Sequence, residues 1–519
     1  MKKIIFSISM LMFIYIGTSA QPNPFGNMST TIFIDLYNDF TPLVELDESL
    51  LFTSYHTANW GNTFYFYTLD KETHALTQKH LGYAVGNPFT MYREEIVTNI
   101  QIVDDYKTNT LSYIKAEFPA KAMPDELKYE VIKSIPYNSD DYSFVSVFSP
   151  DQSKYCSMII FYDKNGLKKF YIIVFDNEGN ILWEKTENYT INAKDADAIT
   201  GDTRYQFMNT FISNDGKIYV VYRIYDEWSK EEKKEIFLKR DALLSENNFK
   251  VTSINVLLFS ENEFYQQVEN TDFGRIQSFE ACLTREGNLF LGGYFANPGN
   301  IKKTSGIFTL LFNKKLNLVS KKITPLESDF MPDNFFGYEQ EVFGKYDFVT
   351  RAANIYELEN GNFVMLSEQV YLRGDEHFIK NIIANTFMND GSLIKTTVIP
   401  NAFDFDNDYA SLFSVVRIFT FSSFCEGNDI YIFHNGNKKN FLEPEEKWLT
   451  LDENNYKSCT ILLTKLSEDG NYQTKMVLPP YKKPYLIHSA FEHNDKTAYV
   501  LLFLGNGYFK FDTMDYVIF

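Results

Sequence analysis

Residues 170–185 read FYIIVFDNEGNILWEK, two runs of β-branched and aromatic side chains on either side of a polar turn. Such runs favour β-strands, and the Asn-Glu-Gly core supplies residues that tolerate the positive φ angles of a tight hairpin turn. The preceding stretch, Ser143–Tyr162, has the same form around the turn SPDQS. Together the two stretches predict four antiparallel strands joined by tight turns.

The hairpin pattern recurs along the 519-residue chain. Comparable turns with strand-like runs on both sides are SNDGK (213–217), TREGN (284–288), NKKLN (313–317), ENGN (359–362), MNDGS (388–392) and SEDGN (467–471). A four-stranded unit that returns roughly every 50 to 70 residues is typical of a β-propeller. We therefore predict an all-β protein, a single β-propeller of seven or eight four-stranded antiparallel blades over residues 40–519.

Two segments decide the details of this ring. Eight blades are favoured, and the number is seven if the pair Thr98–Val103 and Thr110–Ala116 is an insertion rather than the first hairpin of a unit. The N-terminal segment 21–39 contains TTIFIDL (30–36), which we expect to complete the last unit and remove an exposed strand edge. A pair of β-sandwiches is the alternative fold, and the in-phase repeats argue against it.

The predicted architecture resembles that of the WD40 and Kelch repeat proteins, and the resemblance covers nearly all of the chain after residue 20. The sequence contains neither the Gly-His…Trp-Asp pattern of the former nor the double glycine of the latter. The resemblance therefore implies a propeller in general and no particular family.

The first twenty residues predict a secretory signal peptide (1–20). Lys2 and Lys3 precede the mainly apolar stretch Ile4–Ile16, and residues 18–20 (TSA) end on a small side chain. Cleavage there would change the formal charge from −19 to −21. With only 49 Lys and Arg, the chain lacks the basic surface of a general nucleic-acid binder. We expect a secreted monomer, periplasmic or extracellular, without a transmembrane segment.

The aromatic share is high, with 48 Phe, 35 Tyr and 4 Trp making 17% of the residues. We expect most of these rings to pack between neighbouring blades, because flat side chains fill the space between stacked sheets. The chain has four Cys. The sequence leaves open whether Cys425 and Cys459 form a disulfide or are buried thiols.

The long connections between units point to one functional face. They cover residues 188–203, 226–234, 260–274, 324–350, 401–412 and 435–457, and in a propeller they would share one rim. Long loops on a rigid scaffold commonly carry binding or catalytic residues. The function is therefore expected at this rim.

Four arginines mark the same rim. Arg204, Arg275, Arg351 and Arg417 stand 12, 12, 10 and 10 residues before the glycine of the following turn. If the first strands line a central channel, these side chains converge at its mouth, where guanidinium groups suit carboxylate, sulfate or phosphate ligands. We predict them as ligand-binding residues. The alternative is that each arginine pairs with a carboxylate of a neighbouring blade.

No motif assigns a metal, a cofactor or a catalytic residue. The acidic stretch DFDND (404–408) lacks the glycine and the distal glutamate of an EF-hand, and the seven His show no zinc spacing. Nucleophile-elbow, Walker and dinucleotide glycine patterns are absent from the sequence. Ser213-Asn-Asp215-Gly and Ser467-Glu-Asp469-Gly match only the first half of the sialidase Asp box.

The function that these features favour is non-catalytic binding of a ligand or protein partner, including an anionic glycan, by the loop-rich face of a secreted propeller. The alternative is a carbohydrate-active enzyme, a hydrolase or lyase that acts on anionic glycans. In that case the arginines would hold substrate carboxylates. A third reading is a structural surface protein without a defined site.

Overall fold

The structure is a computed structural model. It describes residues 29–33, 39–45, 49–58, 61–70, 76–84, 89–93, 95–120, 127–138, 141–163, 166–189, 208–227, 249–297, 300–326, 349–373, 376–405, 421–437, 459–478, 486–492, 497–505 and 508–515. The predicted signal peptide and most of the long connections lie outside the described residues.

The described residues form strands and no helix. The strands are β1 (Ser29–Phe33), β2 (Asp39–Glu45), β3 (Ser49–Ala58), β4 (Gly61–Asp70), β5 (Leu76–Ala84), β6 (Phe89–Arg93), β7 (Ile96–Asp105), β8 (Thr110–Pro119), β9 (Glu130–Pro136), β10 (Asp141–Phe148), β11 (Lys154–Asp163), β12 (Gly166–Asp176), β13 (Ile181–Asn188), β14 (Met208–Ile212), β15 (Ile218–Glu227), β16 (Phe249–Phe259), β17 (Phe264–Asn270), β18 (Arg275–Leu283), β19 (Leu289–Asn297), β20 (Asn300–Phe312), β21 (Leu318–Pro325), β22 (Val349–Glu357), β23 (Phe363–Arg373), β24 (Glu376–Phe387), β25 (Leu393–Phe405), β26 (Phe421–Glu426), β27 (Asp429–Asn437), β28 (Cys459–Leu466), β29 (Tyr472–Leu478), β30 (Leu486–Glu492), β31 (Thr497–Gly505) and β32 (Tyr508–Asp515). In the part of the chain that the structure describes, nothing offers a helix for a membrane crossing.

The strands pair into eight antiparallel sheets of four strands each. Sheets 1 to 7 consist of β2–β5, β6–β9, β10–β13, β14–β17, β18–β21, β22–β25 and β26–β29, and sheet 8 has the order β1-β32-β31-β30. Within sheets 1 to 7 we call the strands a, b, c and d in chain order. β1 pairs antiparallel with β32, so sheet 8 joins the two ends of the described chain.

The burial of the side chains distinguishes the middle strands of a sheet from the outer ones. In β19, a b strand, every residue from Leu289 to Ala296 is buried. In β13, a d strand, exposed and half-buried side chains alternate. This difference follows from position, because a strand covered on both faces needs apolar residues throughout and an outer strand reaches water on one side.

Consecutive sheets stack face to face through hydrophobic layers. Five clusters of buried side chains each join two successive sheets, from the joint between sheets 2 and 3 to the joint between sheets 6 and 7. Aromatic rings are prominent in these layers: Phe290 of sheet 5 stacks on Phe363 of sheet 6 with ring centres 3.9 Å apart. Meandering four-stranded sheets stacked in chain order are the defining feature of a β-propeller. The predicted all-β propeller is confirmed, and a ring of eight blades stays a prediction.

The assignment of one hairpin was wrong. Thr98–Val103 and Thr110–Ala116 lie in β7 and β8, which are the b and c strands of sheet 2 and not a first hairpin. The a strand of this sheet is the short β6 (Phe89–Arg93), whose five residues carry little periodic signal.

Residues 260–274 were wrongly predicted as one long connection. They contain a tight turn, in which Ser260 N donates to Glu263 O at 3.0 Å, and the d strand β17. The sequence of β17, FYQQVEN, is largely polar because most of its side chains are exposed. It therefore lacks the apolar run by which the other strands were recognised.

The turns and the long connections lie at opposite edges of the sheets. The strand ends that the a–b and c–d turns join form one edge, which we call the turn rim, and the opposite strand ends form the other edge, the loop rim. The turn DNEGN shows the expected geometry: Gly179 has φ of +77°, and its N–H donates to Asp176 O at 3.1 Å. The a strands of successive sheets contact each other, as when Asn209 in β14 donates to Glu280 in β18 at 3.0 Å.

All four cysteines are free thiols. Cys425 pairs with Ile430 at the turn-rim end of β27, whereas Cys459 pairs with Asn437 at the loop-rim end. Seven residues of extended strand separate these two levels by about 23 Å, far beyond the reach of a disulfide. The two cysteines therefore do not form a bridge within this sheet.

Sheet 7 contains a buried histidine that makes the fold sensitive to acid. His434 is buried; its Nε2 lies 2.9 Å from Thr464 Oγ1 and its Nδ1 lies 3.1 Å from Asn435 O. Burial lowers the pKa of His434 from 6.5 to about 4. Between these two values the unfolded chain binds a proton that the folded chain does not, so stability falls as the pH drops.

We expect His434 to contribute a loss of about 3 kcal/mol in the free energy of unfolding between pH 6.5 and pH 4. Urea denaturation of the wild type and of His434→Gln at several pH values measures this loss in the free energy of unfolding. The variant, whose side chain does not titrate, should show a shallower dependence in this range. Equal slopes for the two proteins would mean that His434 is not the group responsible.

Candidate functional site

Two of the four predicted arginines are described, and both lie at the loop-rim ends of neighbouring a strands. Arg275 is the first residue of β18, and Arg351 is the third residue of β22. Arg204 and Arg417 lie outside the described residues. The convergence of all four side chains at one mouth therefore stays a prediction.

The register shows that Arg275 and Arg351 stand at different depths. Arg351 pairs with Glu368, and Ser278 occupies the same level in sheet 5, opposite Tyr294. Ser278 Oγ donates to Thr350 O at 2.7 Å, which places this level of the two sheets side by side. Arg275 lies two ladder positions nearer the loop rim, about 7 Å along the strand. The two arginines therefore lie at different levels along their strands and not in one ring, an arrangement that we call stepped.

Arg351 is held by a buried carboxylate. Its Nη2 donates to Glu368 Oε2 at 2.9 Å; the Glu368 side chain is fully buried, whereas that of Arg351 is 36% exposed. The two residues face each other across β22 and β23, so the ion pair lies within sheet 6 and not between blades. A carboxylate without access to water needs this cation. The pair therefore fixes one side of the guanidinium group and leaves part of it accessible.

Arg275 is half-buried, and desolvation lowers its pKa from the ordinary value of an arginine. The guanidinium group remains a cation at neutral pH because its ordinary pKa is so high. A partly desolvated cation attracts an anion more strongly than one in open water does, since less solvent screens the interaction. This side chain is therefore well suited to an anionic group that arrives from the loop rim.

Polar side chains surround the two arginines at the joint between sheets 5 and 6. Thr304 donates to Gln277 Oε1 at 2.7 Å and lies 3.1 Å from Thr350 Oγ1. Deeper in sheet 6, Asn381 Nδ2 donates to Gln369 Oε1 at 2.7 Å, and both side chains are buried. The contact between Thr304 and Thr350 joins the c strand of sheet 5 to the a strand of sheet 6, so polar side chains connect the two sheets beside the arginines.

Glu368 was missed by the sequence reasoning, although the sequence contains a signal for it. The stretch FVMLSEQV (363–370) places a single carboxylate in a mainly apolar b strand, where the residues from 363 to 369 are buried. Charged side chains are rarely buried without a partner. Such a residue predicts a cation on an adjacent strand.

The described residues contain no group of three or more His, Cys, Asp or Glu placed to hold a metal ion. Asp404, Asp406 and Asp408 belong to the acidic stretch noted above, and none of their side chains is among those described.

No protein-family model matches the sequence, and no curated protein matches it either. Solved structures are similar at the level of overall shape. The β-propeller domain of the Trilobed protease from Pyrococcus furiosus is 9% identical, with 86% of this chain and 97% of that chain covered and a TM-score of 0.33. The WD40 domain of SCAP from fission yeast is 9% identical, with 94% of this chain and 98% of that chain covered and a TM-score of 0.35. Polysaccharide lyase Uly1 is 8% identical, with 84% of this chain and 91% of that chain covered and a TM-score of 0.37.

Similarities of this size do not bear on activity. The propeller assignment is supported by the strand pairing and the stacking of sheets described above. The chain is an all-β propeller without a matching family model.

Proposed function

We propose that this protein is a secreted, non-catalytic propeller that binds an anionic ligand, a glycan or a protein partner, through its loop-rich face. The observation that carries the proposal is the pair of stepped arginines at the loop-rim ends of β18 and β22. Arg275 is partly desolvated, and Arg351 is oriented by Glu368. In a chain of net charge −19, the partly desolvated Arg275 and the accessible side of Arg351, on adjacent a strands, form a local anion site.

A binding role is favoured over catalysis by the state of Glu368. This carboxylate is fully buried and bonded to Arg351, so it positions the guanidinium group and does not face a substrate. The alternative, a hydrolase or lyase acting on anionic glycans, would need an acid or base from the long connections, which lie outside the described residues. Assaying turnover on every glycan that binds distinguishes the two functions.

A glycan array of sulfated and uronate-containing polysaccharides, followed by titration calorimetry on each hit, tests the proposal. Arg275→Gln should weaken binding at least about tenfold, because a charge-assisted hydrogen bond contributes about 1.5–3 kcal/mol. The matched control is Arg93→Gln, which removes an arginine that pairs with Glu178 at the turn rim. An equal loss in both variants would contradict a site at the loop rim and indicate a general charge effect.

Export is proposed from residues 1–20 alone. Mass spectrometry of the protein recovered from the medium or periplasm should give a chain that begins at Gln21. Recovery of full-length protein in the cytoplasm only would refute this part of the proposal.

A further inference from the structure

The a–b turns of neighbouring sheets are tied together at the turn rim. At the joint between sheets 3 and 4, Asp151 N donates to Asn214 Oδ1 at 3.2 Å. At the joint between sheets 6 and 7, Asn360 N donates to Asn428 Oδ1 at 3.0 Å. Between sheets 5 and 6 the turn reaches the end of the next a strand, where Arg285 N donates to Glu357 Oε2 at 2.6 Å.

At the joint between sheets 4 and 5, Tyr219 of β15 bonds to the turn at 284–288, and the two a–b turns themselves stand apart. Among the described residues, no hydrogen bond links the turn at 213–217 to the turn at 284–288. A pocket of about 300 Å³ lies there instead, bounded by these two turns and by Lys314 of the neighbouring c–d turn. Its wall includes the apolar side chain of Leu283 and the ring of Tyr219, whose hydroxyl donates to Gly287 O at 3.1 Å. The pocket is of the size that small-molecule sites have.

The charged groups of this pocket are unequally satisfied. Asp215 accepts a hydrogen bond from Ser213 and pairs with Lys217 at 3.0 Å, and these contacts hold the pKa of its carboxyl below the usual value. The guanidinium group of Arg285, the ammonium group of Lys314 and the carboxylate of Glu286 have no ion pair or side-chain hydrogen bond among the described residues. All three side chains are exposed, so the pocket offers two cations and one anion that contact water and are available to a ligand.

We propose that this turn-rim pocket binds a small carboxylate ligand that also carries a hydroxyl or ammonium group. The ligand carboxylate would contact Arg285 and Lys314, and its donor group would bond to Glu286, since each unpaired charge in the pocket then gains a partner. A uronic acid and an acidic amino acid both meet this description. The site is distinct from the loop rim, because the turns lie at the opposite edge of the sheets.

Titration calorimetry on the full-length protein with glucuronate, glutamate, glucose and acetate tests the proposal. We expect saturable binding of glucuronate or glutamate: a preference for glucuronate identifies a hydroxy acid, and a preference for glutamate identifies an amino acid. Glucose, which lacks the carboxylate, should not bind, and acetate, which lacks the donor, should bind at least about tenfold more weakly. No saturable binding of either acid, or acetate binding as tightly as both, would overturn the proposal.

Variants locate the binding in this pocket. Arg285→Gln should weaken it at least about tenfold, whereas Lys315→Gln, which makes the same charge change on the turn that carries Lys314, should leave it unchanged. Binding that Arg285→Gln leaves intact and Arg275→Gln weakens belongs to the loop rim and not to this pocket, so failure here and failure of the proposed function are separable. Equal affinity of Arg285→Gln and wild type would overturn the assignment to this pocket. Thermal melting confirms that each variant is folded.

Discussion

Replacing Phe290 by alanine should lower the free energy of unfolding by about 3–5 kcal/mol, the usual cost of removing a fully buried aromatic ring. Phe290 is fully buried in β19, and its ring stacks on Phe363 with an angle of 7° between their planes. Phe387 lies on the same side, with ring centres 6.0 Å apart. The substitution therefore leaves a cavity in the layer between sheets 5 and 6. Chemical denaturation followed by tryptophan fluorescence measures the loss.

Val319→Ala is the matched control for this experiment. Val319 belongs to the d strand of the same sheet and is 61% exposed, so its truncation removes few packing contacts. We expect a change within about 0.5 kcal/mol. If Phe290→Ala were no more destabilising than Val319→Ala, the stacked layer would not be a principal source of stability at this joint.

The second large effect concerns the ion pair of sheet 6. Arg351→Ala removes the cation that faces Glu368 and leaves a carboxylate that is fully buried. Breaking a buried pair on one side costs about 3–5 kcal/mol, because the remaining charge has neither water nor a partner. We expect a fall of about 3 kcal/mol in the free energy of unfolding, since the half-exposed position of Arg351 lets some water reach the site once the side chain is gone.

The double variant Arg351→Ala/Glu368→Gln shows where this loss comes from. With the buried charge removed, most of the stability should return, because a neutral amide is cheaper to bury than an unpaired carboxylate. Ligand binding should not return, since the guanidinium group is still missing. A double variant as unstable as Arg351→Ala would mean that the arginine stabilises the sheet by packing and not by pairing with Glu368.

Local features of the sequence predicted the strands and turns well. In the SNDGK and TREGN turns, Gly216 and Gly287 have φ of +86° and +79°, as the Asn-Asp-Gly and Arg-Glu-Gly sequences require. The middle strands were recognised because both of their faces are buried, which demands continuous apolar runs. Outer strands such as β17 contact water, carry polar residues and resemble loops in sequence.

The candidate site was predictable only in part. The spacing of 12 and 10 residues to the turn glycine implies that Arg275 and Arg351 differ by two positions, and the register bears this out. Glu368 stands out in its apolar strand, but the partners in the site were not predictable, because Glu368 and Thr304 reach it from other strands, through pairing that no local pattern encodes. The turn-rim pocket was missed for a similar reason: its wall is built from turns of two sheets that are far apart in the sequence.

The pairing of β1 with β32 has a consequence for how the chain acquires its structure. Ser29 and Asp512 are partners in one sheet, although nearly the whole polypeptide separates them. On the ribosome, the segment that holds Ser29 emerges long before its partner strand has been synthesised. Until then its backbone groups form hydrogen bonds with water or with other, temporary partners. Contacts between such distant residues form late, because loop closure over this length carries a large entropic cost. We therefore expect the last sheet to assemble only after β32 has been synthesised, and termination a few residues before Tyr508 to leave β1 without its partner strand.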